Sequence, residues 1–127
     1  MNMRVISWNV RGLKKAQVLQ EVLFLKHRYR PNIIFLLETM VSSKNINNIL
    51  PKVGFDFFDY VEPVNHAGGI AVLWNNNDCY ASILYKENRM IHLLVDDTSN
   101  KSEVIISGVY APAQAKDKDT FWNHLCD

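Results

Sequence analysis

Two cysteines in 127 residues are too few for a disulfide framework, and Cys79 and Cys126 match no metal-ligand spacing. Such sparse cysteine suits a reducing, intracellular setting. No apolar run approaches the ~20 residues needed to cross a bilayer. The basic start, with Arg4, runs straight into a strand pattern and has no apolar signal core, so neither a membrane span nor a targeting segment is read. Repeats, low-complexity tracts and linkers are also missing. Net charge is nearly so, at +1, but its distribution is uneven. Through Lys52 there are nine Lys and Arg against two acids, and from Val53 onward five against eleven. A basic first part suits phosphates, and an acidic remainder suits metal. The plainer alternative is two solvated surfaces of opposite sign that attract each other.

With 48% hydrophobic and 21% charged residues, the chain reads as one globular domain. Met3 to Trp8 is a strand pattern, followed by Asn9 and a turn at Arg11-Gly12. Lys14 to Arg28 reads as a helix with Val18, Leu19, Val22, Leu25 and Tyr29 on its buried face. Lys26, Arg28 and Arg30 suit its C-terminal dipole, and Pro31 stops it. Ile33 to Leu37 is apolar at every position, so it expects cover on both faces. Strand, helix, strand at this spacing is a βαβ unit. Its parallel strands end on one sheet edge, where ligands bind.

Ser42 or Ser43 caps a short helix carrying Ile46, Ile49 and Leu50, which Pro51 closes. A short strand follows around Phe55, Phe57 and Tyr60, then a loop from Glu62 to His66 and an apolar strand from Gly69 to Trp74. Polar turns then separate strands at Cys79–Tyr85, Met90–Val95 and Val104–Tyr110. A helix from Lys116 to Cys126 turns Phe121, Trp122 and Leu125 inward. The pattern predicts an α/β fold with a mixed sheet and helices over one face.

Two residues stand where chemistry is expected. Glu38 is a carboxylate at the end of a wholly apolar strand, and Asn9 ends the neighbouring one. Adjacent strands lie about 4.8 Å apart, so both can face one small hard cation. Mg²⁺ is typically held by one or two carboxylates plus water and phosphate. Each residue also has a plain reading: strand-end acids often meet solvent or a loop amide, and Asn is common in turns.

Four blocks carry a resemblance: Ile-Ser-Trp-Asn-Val-Arg-Gly-Leu from Ile6 to Leu13, Leu-Leu-Glu-Thr from Leu36 to Thr39, Gly-Gly-Ile-Ala-Val-Leu-Trp from Gly68 to Trp74, and Gly-Val-Tyr-Ala-Pro-Ala from Gly108. In this order the chain resembles the endonuclease/exonuclease/phosphatase superfamily. It is most similar to the abasic-endonuclease-like domain of plant LINE-type non-LTR retrotransposons, whose pattern also includes Phe121-Trp122. The resemblance implies a Mg²⁺- or Mn²⁺-dependent phosphodiesterase acting on DNA, in the nucleus. Its fold is the DNase I-like four-layer α/β-β/α sandwich, of which this chain would be the truncated mixed-sheet half. Glu38 becomes the metal ligand, and Asn9 a polar group beside the metal with a catalytic part. Tyr110 stands near the scissile phosphate, and Arg11 at the phosphate edge. Plain readings remain: a strand-end aromatic meeting water for Tyr110, and turn solvation for Arg11.

The chain departs from that family in one respect. The Gly-Asp-x-Asn and Ser-Asp-His blocks that follow in the family are absent. His27, His92 and His124 read as structural or solvated, and His66, before Gly68-Gly69, as a substrate contact. The expectation is the N-terminal portion of one domain, residues 1–127, inactive or nearly so alone. Two alternatives are a phosphatase or lipid phosphodiesterase of the same superfamily, and a non-catalytic nucleic-acid-binding or interaction module. No membrane partner is expected. The second sheet of the family fold is expected mostly after Asp127, which would leave an apolar sheet face exposed and prone to self-association.

Overall fold

The computed structural model describes residues 3–64, 67–76, 80–97 and 102–110. His66, Cys79, Cys126 and the helix expected from Lys116 to Cys126 lie outside the described residues.

The first strand, β1 (Val5–Asn9), pairs in parallel with β2 (Ile33–Leu37) across helix α1 (Ala16–Tyr29). β2 continues through α2 (Ser43–Ile49) and a 3-10 turn over Leu50–Val53 to β3 (Phe57–Val61). β3 and β2 both pair antiparallel with β4 (Ile70–Trp74), giving the sheet order β1-β2-β4-β3. A second, antiparallel sheet contains β5 (Tyr80–Glu87), β6 (Met90–Asp97) and β7 (Ser102–Val109) in that order. The βαβ start and the alternation of strands with polar turns are therefore as the sequence predicts.

The two faces of the first sheet bury separate cores. Ile34, Leu36, Ala71 and Leu73 pack under the helices with Val18, Val22, Ile46 and Leu50. Ile33, Phe35, Ile70, Val72 and Trp74 pack instead against Ile91, Leu93 and Val95 of β6. This corrects the expectation of an uncovered face. The second sheet does not wait until after Asp127; it begins at Tyr80 and lies over β2 and β4. Alternation along β6 makes this possible, since Ile91, Leu93 and Val95 are fully buried while His92 and Leu94 face outward. The two sheets approach closely at Gly108, where a Cβ would overlap the Phe35 ring. The larger exposed apolar side chains include Tyr80, Leu84, Tyr85 and Ile105, all on the second sheet.

Several local expectations change. Tyr29 is half exposed rather than on the buried face of α1. α2 stops at Ile49, just before Pro51 as expected, but Pro51 itself sits in the first turn of a 3-10 segment that follows. Neither Ser42 nor Ser43 caps α2 with its side chain; the Ser43 N–H donates instead to the Glu62 carboxylate at 3.0 Å. The Ser43 side chain first, and this backbone contact second, hold the Glu62 carboxyl below its ordinary pKa.

Lys26 does more than complement a helix dipole. Its ammonium donates to the carbonyls of Val53 (2.8 Å) and Gly54 (2.9 Å), where the 3-10 segment ends, and sits over the Phe55 ring. Lys26→Met keeps the stem and loses both bonds. It should cost about 1.5 kcal/mol, the low end for bonds to a charged donor because the site is partly exposed. Urea melting would show it as a lower midpoint with an unchanged slope.

Candidate functional site

β1 and β2 are parallel and in register, Asn9 opposite Leu37, so both strands end at one edge of the first sheet. β4 is antiparallel to β2, with Ile70 opposite Leu37, so β4 begins at that same edge. Three loops therefore meet there. The pairing of β1 and β2 continues past the strands through hydrogen bonds from Val10 N to Leu37 O, Gly12 N to Glu38 O and Leu13 N to Thr39 O, at 2.8–2.9 Å. On the other side, Thr39 N donates to Gly69 O at 3.2 Å and Met40 N to Gly68 O at 2.9 Å. The segment that carries Glu38 is thus held on both flanks by backbone.

Within it, Glu38 (φ 56°) and Met40 (φ 57°) are left-handed, a conformation uncommon for residues with a side chain. Each such residue costs on the order of 1–3 kcal/mol and persists only where its surroundings over-determine it. Here the flanking hydrogen bonds do so. Glu38 is half-buried, beyond a strand whose Ile33, Ile34, Phe35 and Leu36 are buried.

Asn9 is exposed, and its side-chain oxygen accepts the Arg11 N–H at 3.1 Å. The turn role is therefore real, and it allows the left-handed Arg11 (φ 49°). A carbonyl oxygen has a second lone pair, so this bond does not exhaust it. Arg11, Lys14 and Lys15 are all exposed in the stretch between β1 and α1.

Tyr110 follows β7 and belongs to the second sheet, where its N–H donates to Arg89 O at 2.8 Å. Its ring lies against Gly68, so that a Cβ there would come within 3.1 Å of Tyr110 Cε2. Gly68 in turn bonds Met40, which brings Tyr110 to the loop cluster that holds Glu38 and Asn9. His66 lies outside the described residues. His92 is on the outer face of the second sheet, with Nδ1 at 2.5 Å from Ser107 Oγ.

Sequence reasoning missed Thr39 and the work of the glycine pair. Thr39 is fully buried, and its hydroxyl has no hydrogen-bond partner among the described residues. The signal was two adjacent glycines at the mouth of a wholly apolar strand, where small residues mark a close backbone approach. Among the described residues, no group of three or more His, Cys, Asp or Glu could hold a metal ion.

No family model matches the sequence, and no curated protein matches it. Solved structures do. The AP endonuclease LMAP of Leishmania major superposes with a TM-score of 0.63 at 17% identity, over 87% of this chain and 40% of that one. The endonuclease domain of TRAS1, a telomere-specific non-LTR retrotransposon, gives 0.62 at 11% identity, over 98% and 54%. TDP2 of Caenorhabditis elegans gives 0.60 at 16% identity, over 98% and 40%. The chain spans about half the length of these structures or less. At such identities the likeness shows the fold: a mixed sheet under helices, faced by an antiparallel sheet, as in the DNase I-like fold.

Proposed function

We propose that this chain is the N-terminal portion of a domain that hydrolyses DNA phosphodiesters with Mg²⁺ or Mn²⁺, of the kind encoded by plant LINE-type retrotransposons. The observation that carries the reading is Glu38: a half-buried carboxylate in a strained conformation, fixed by backbone on both sides at the sheet edge. The fold likeness to an AP endonuclease, a retrotransposon endonuclease domain and TDP2 supports it.

The donor set suits a hard ion. The Glu38 carboxylate and the second lone pair of Asn9 Oδ1 are oxygen donors, and Mg²⁺ needs only one or two carboxylates if it keeps waters and substrate phosphate. Bound there, such an ion would act as a Lewis acid on a phosphate oxygen. Tyr110 would stand beside the scissile phosphate, with Arg11 and His66 on the substrate side. Among the described candidates no side chain is a base that could orient the attacking water, and the Gly-Asp-x-Asn and Ser-Asp-His blocks are absent. The chain alone is therefore inactive or nearly so, and the rest of the domain completes the site. β1 is consistent with a continuation. Among the described residues it ends the sheet order, and beside it an open groove of about 680 Å³ runs along α1, lined in part by Ile6, Trp8, Phe24 and Leu25 and in part by Gln17, Gln20 and Glu21.

Plasmid nicking tests the enzyme reading. The expected result is trace scission that requires Mg²⁺ or Mn²⁺ and disappears in Glu38→Gln. Turnover of an inositol phosphate or lipid phosphodiester without nicking would favour the phosphatase alternative. DNA binding that ignores metal and Glu38 would favour a non-catalytic module.

The charge asymmetry gives a separate expectation. Arg11, Lys14 and Lys15 are exposed beside the site, whereas Lys26 is engaged elsewhere. DNA binding should be weak, indifferent to sequence and strongly salt-dependent. Replacing the three by Ala should flatten the log–log salt slope by about 0.9 for each phosphate they had neutralised. Fluorescence anisotropy across a salt series reads that slope, and an unchanged slope would place the DNA elsewhere.

A further inference from the structure

We propose that Gly69 is a positioning residue for Glu38, acting through Thr39, and that Gly68 does the same for Tyr110; this rests on the metal reading of Glu38 given above. Both glycines are buried and left-handed, with φ of 81° at Gly68 and 92° at Gly69. Their carbonyls accept from Met40 and Thr39, so the pair is the wall against which the Glu38 segment is hydrogen-bonded.

What makes Gly69 specific is the space it leaves. A Cβ there would overlap Thr39 Oγ1 and would lie 3.4 Å from both Met40 N and Pro63 Cδ. Thr39 has no room to retreat, because it is fully buried and its own carbonyl is bonded to Leu13 N on the far side. The residue immediately before it is Glu38, whose carbonyl is bonded to Gly12 N. Any displacement of Thr39 is therefore passed along the backbone to Glu38, between two fixed flanks. The unpartnered hydroxyl of Thr39 fits this account, since the side chain serves as a spacer against Gly69. At Gly68 the neighbour is the Tyr110 ring, with Cε2 and Cδ2 at 3.1 and 3.4 Å from the position of a Cβ. Adjacent glycines thus set two groups from different sheets, one through backbone and one through a ring face.

The test is Mn²⁺ titration of the whole chain, with the folded fraction measured in the same samples. Gly69→Ala should weaken Mn²⁺ binding per folded molecule roughly 10–100-fold, as loss of an outer support does at metal sites. Gly69→Ala combined with Thr39→Ala removes the atom that the new methyl strikes and should regain part of that loss, the strain of a side chain at φ 92° remaining. A purely structural glycine would change the folded fraction alone. Gly69→Ala that folds and binds Mn²⁺ as the wild type does would overturn the proposal, as would a double variant no better than the single. Should the single variant not fold, the NMR structure of the wild type decides. Contacts from Thr39 to Gly69 and from Tyr110 to Gly68, with Glu38 at positive φ, support the proposal; their absence overturns it. Should the wild type bind no Mn²⁺, the metal reading falls. Positioning is then judged by whether Gly69→Ala shifts the Glu38 amide signal and Gly68→Ala the Tyr110 ring signals; unshifted signals overturn it.

Discussion

Phe35→Ala should destabilise the chain by about 3–5 kcal/mol, the range for deleting a fully buried aromatic ring. Phe35 is 2% exposed, in the middle of β2, on the face that meets the second sheet. Its ring fills the space opposite Gly108, where β7 comes so close that no side chain fits. Removing the ring leaves a cavity that neither sheet can readily close. Both are held in register by their own ladders, and Gly108 has nothing to extend into it. Domain stability is usually only about 5–15 kcal/mol, so the loss would be a large share of the total. Gly108→Val makes the same point from the other side by forcing a methyl pair into the ring, and overpacking of this kind costs typically about 1–3 kcal/mol. Denaturant melting of both variants reads the effect. If the second sheet were not docked on β2, Phe35 would already face solvent and both substitutions would be nearly silent. The described residues would then form two loosely joined parts.

The other large effect is on metal. Glu38→Gln should remove Mn²⁺ binding outright. The amide is nearly isosteric but uncharged, and the other described carboxylate of these loops, Glu62, is engaged by the Ser43 N–H. The loss should exceed the roughly 10–100-fold seen when an outer-shell partner is removed. The fold should tolerate the change, because the hydrogen bonds that fix the Glu38 segment run through backbone groups of Gly12, Leu13, Gly68 and Gly69. Calorimetric titration of wild type and variant, with melting as control, separates the two outcomes. Equal affinity would remove Glu38 from the site, and a collapsed melting curve would make it a structural carboxylate.

Much of this was legible in the sequence because the signals were local. β2 and β4 are apolar at every position and are buried on both faces. The βαβ spacing gave parallel strands with a common edge, the edge at which Asn9 ends β1 and Glu38 follows β2. What covers the far face was not legible in the same way. Strands joined by short polar turns read alike whether they extend one sheet or fold back as a second. The distinction lay in period: β6 alternates Ile91, Leu93 and Val95 with His92 and Leu94, a strand buried on one face, unlike β2 and β4. The missed capping contacts have a similar cause. Glu62 reaches Ser43, and Lys26 reaches Val53 and Gly54, across 19 and 27–28 residues of chain, distances at which propensity rules have nothing to say. Thr39 escaped notice because its importance comes from what Gly69 lacks.

The most direct test of the central claim, that three loops at one sheet edge make a cation site around Glu38, is paramagnetic broadening of backbone amides by Mn²⁺ in the labelled chain. The account predicts broadening confined to residues 9–12, 38–40, 68–69 and 110, displaced by excess Mg²⁺ and absent in Glu38→Gln. Broadening centred on the acidic residues elsewhere, such as Asp56, Asp59 or Asp96, with the Glu38 loop untouched, would contradict it.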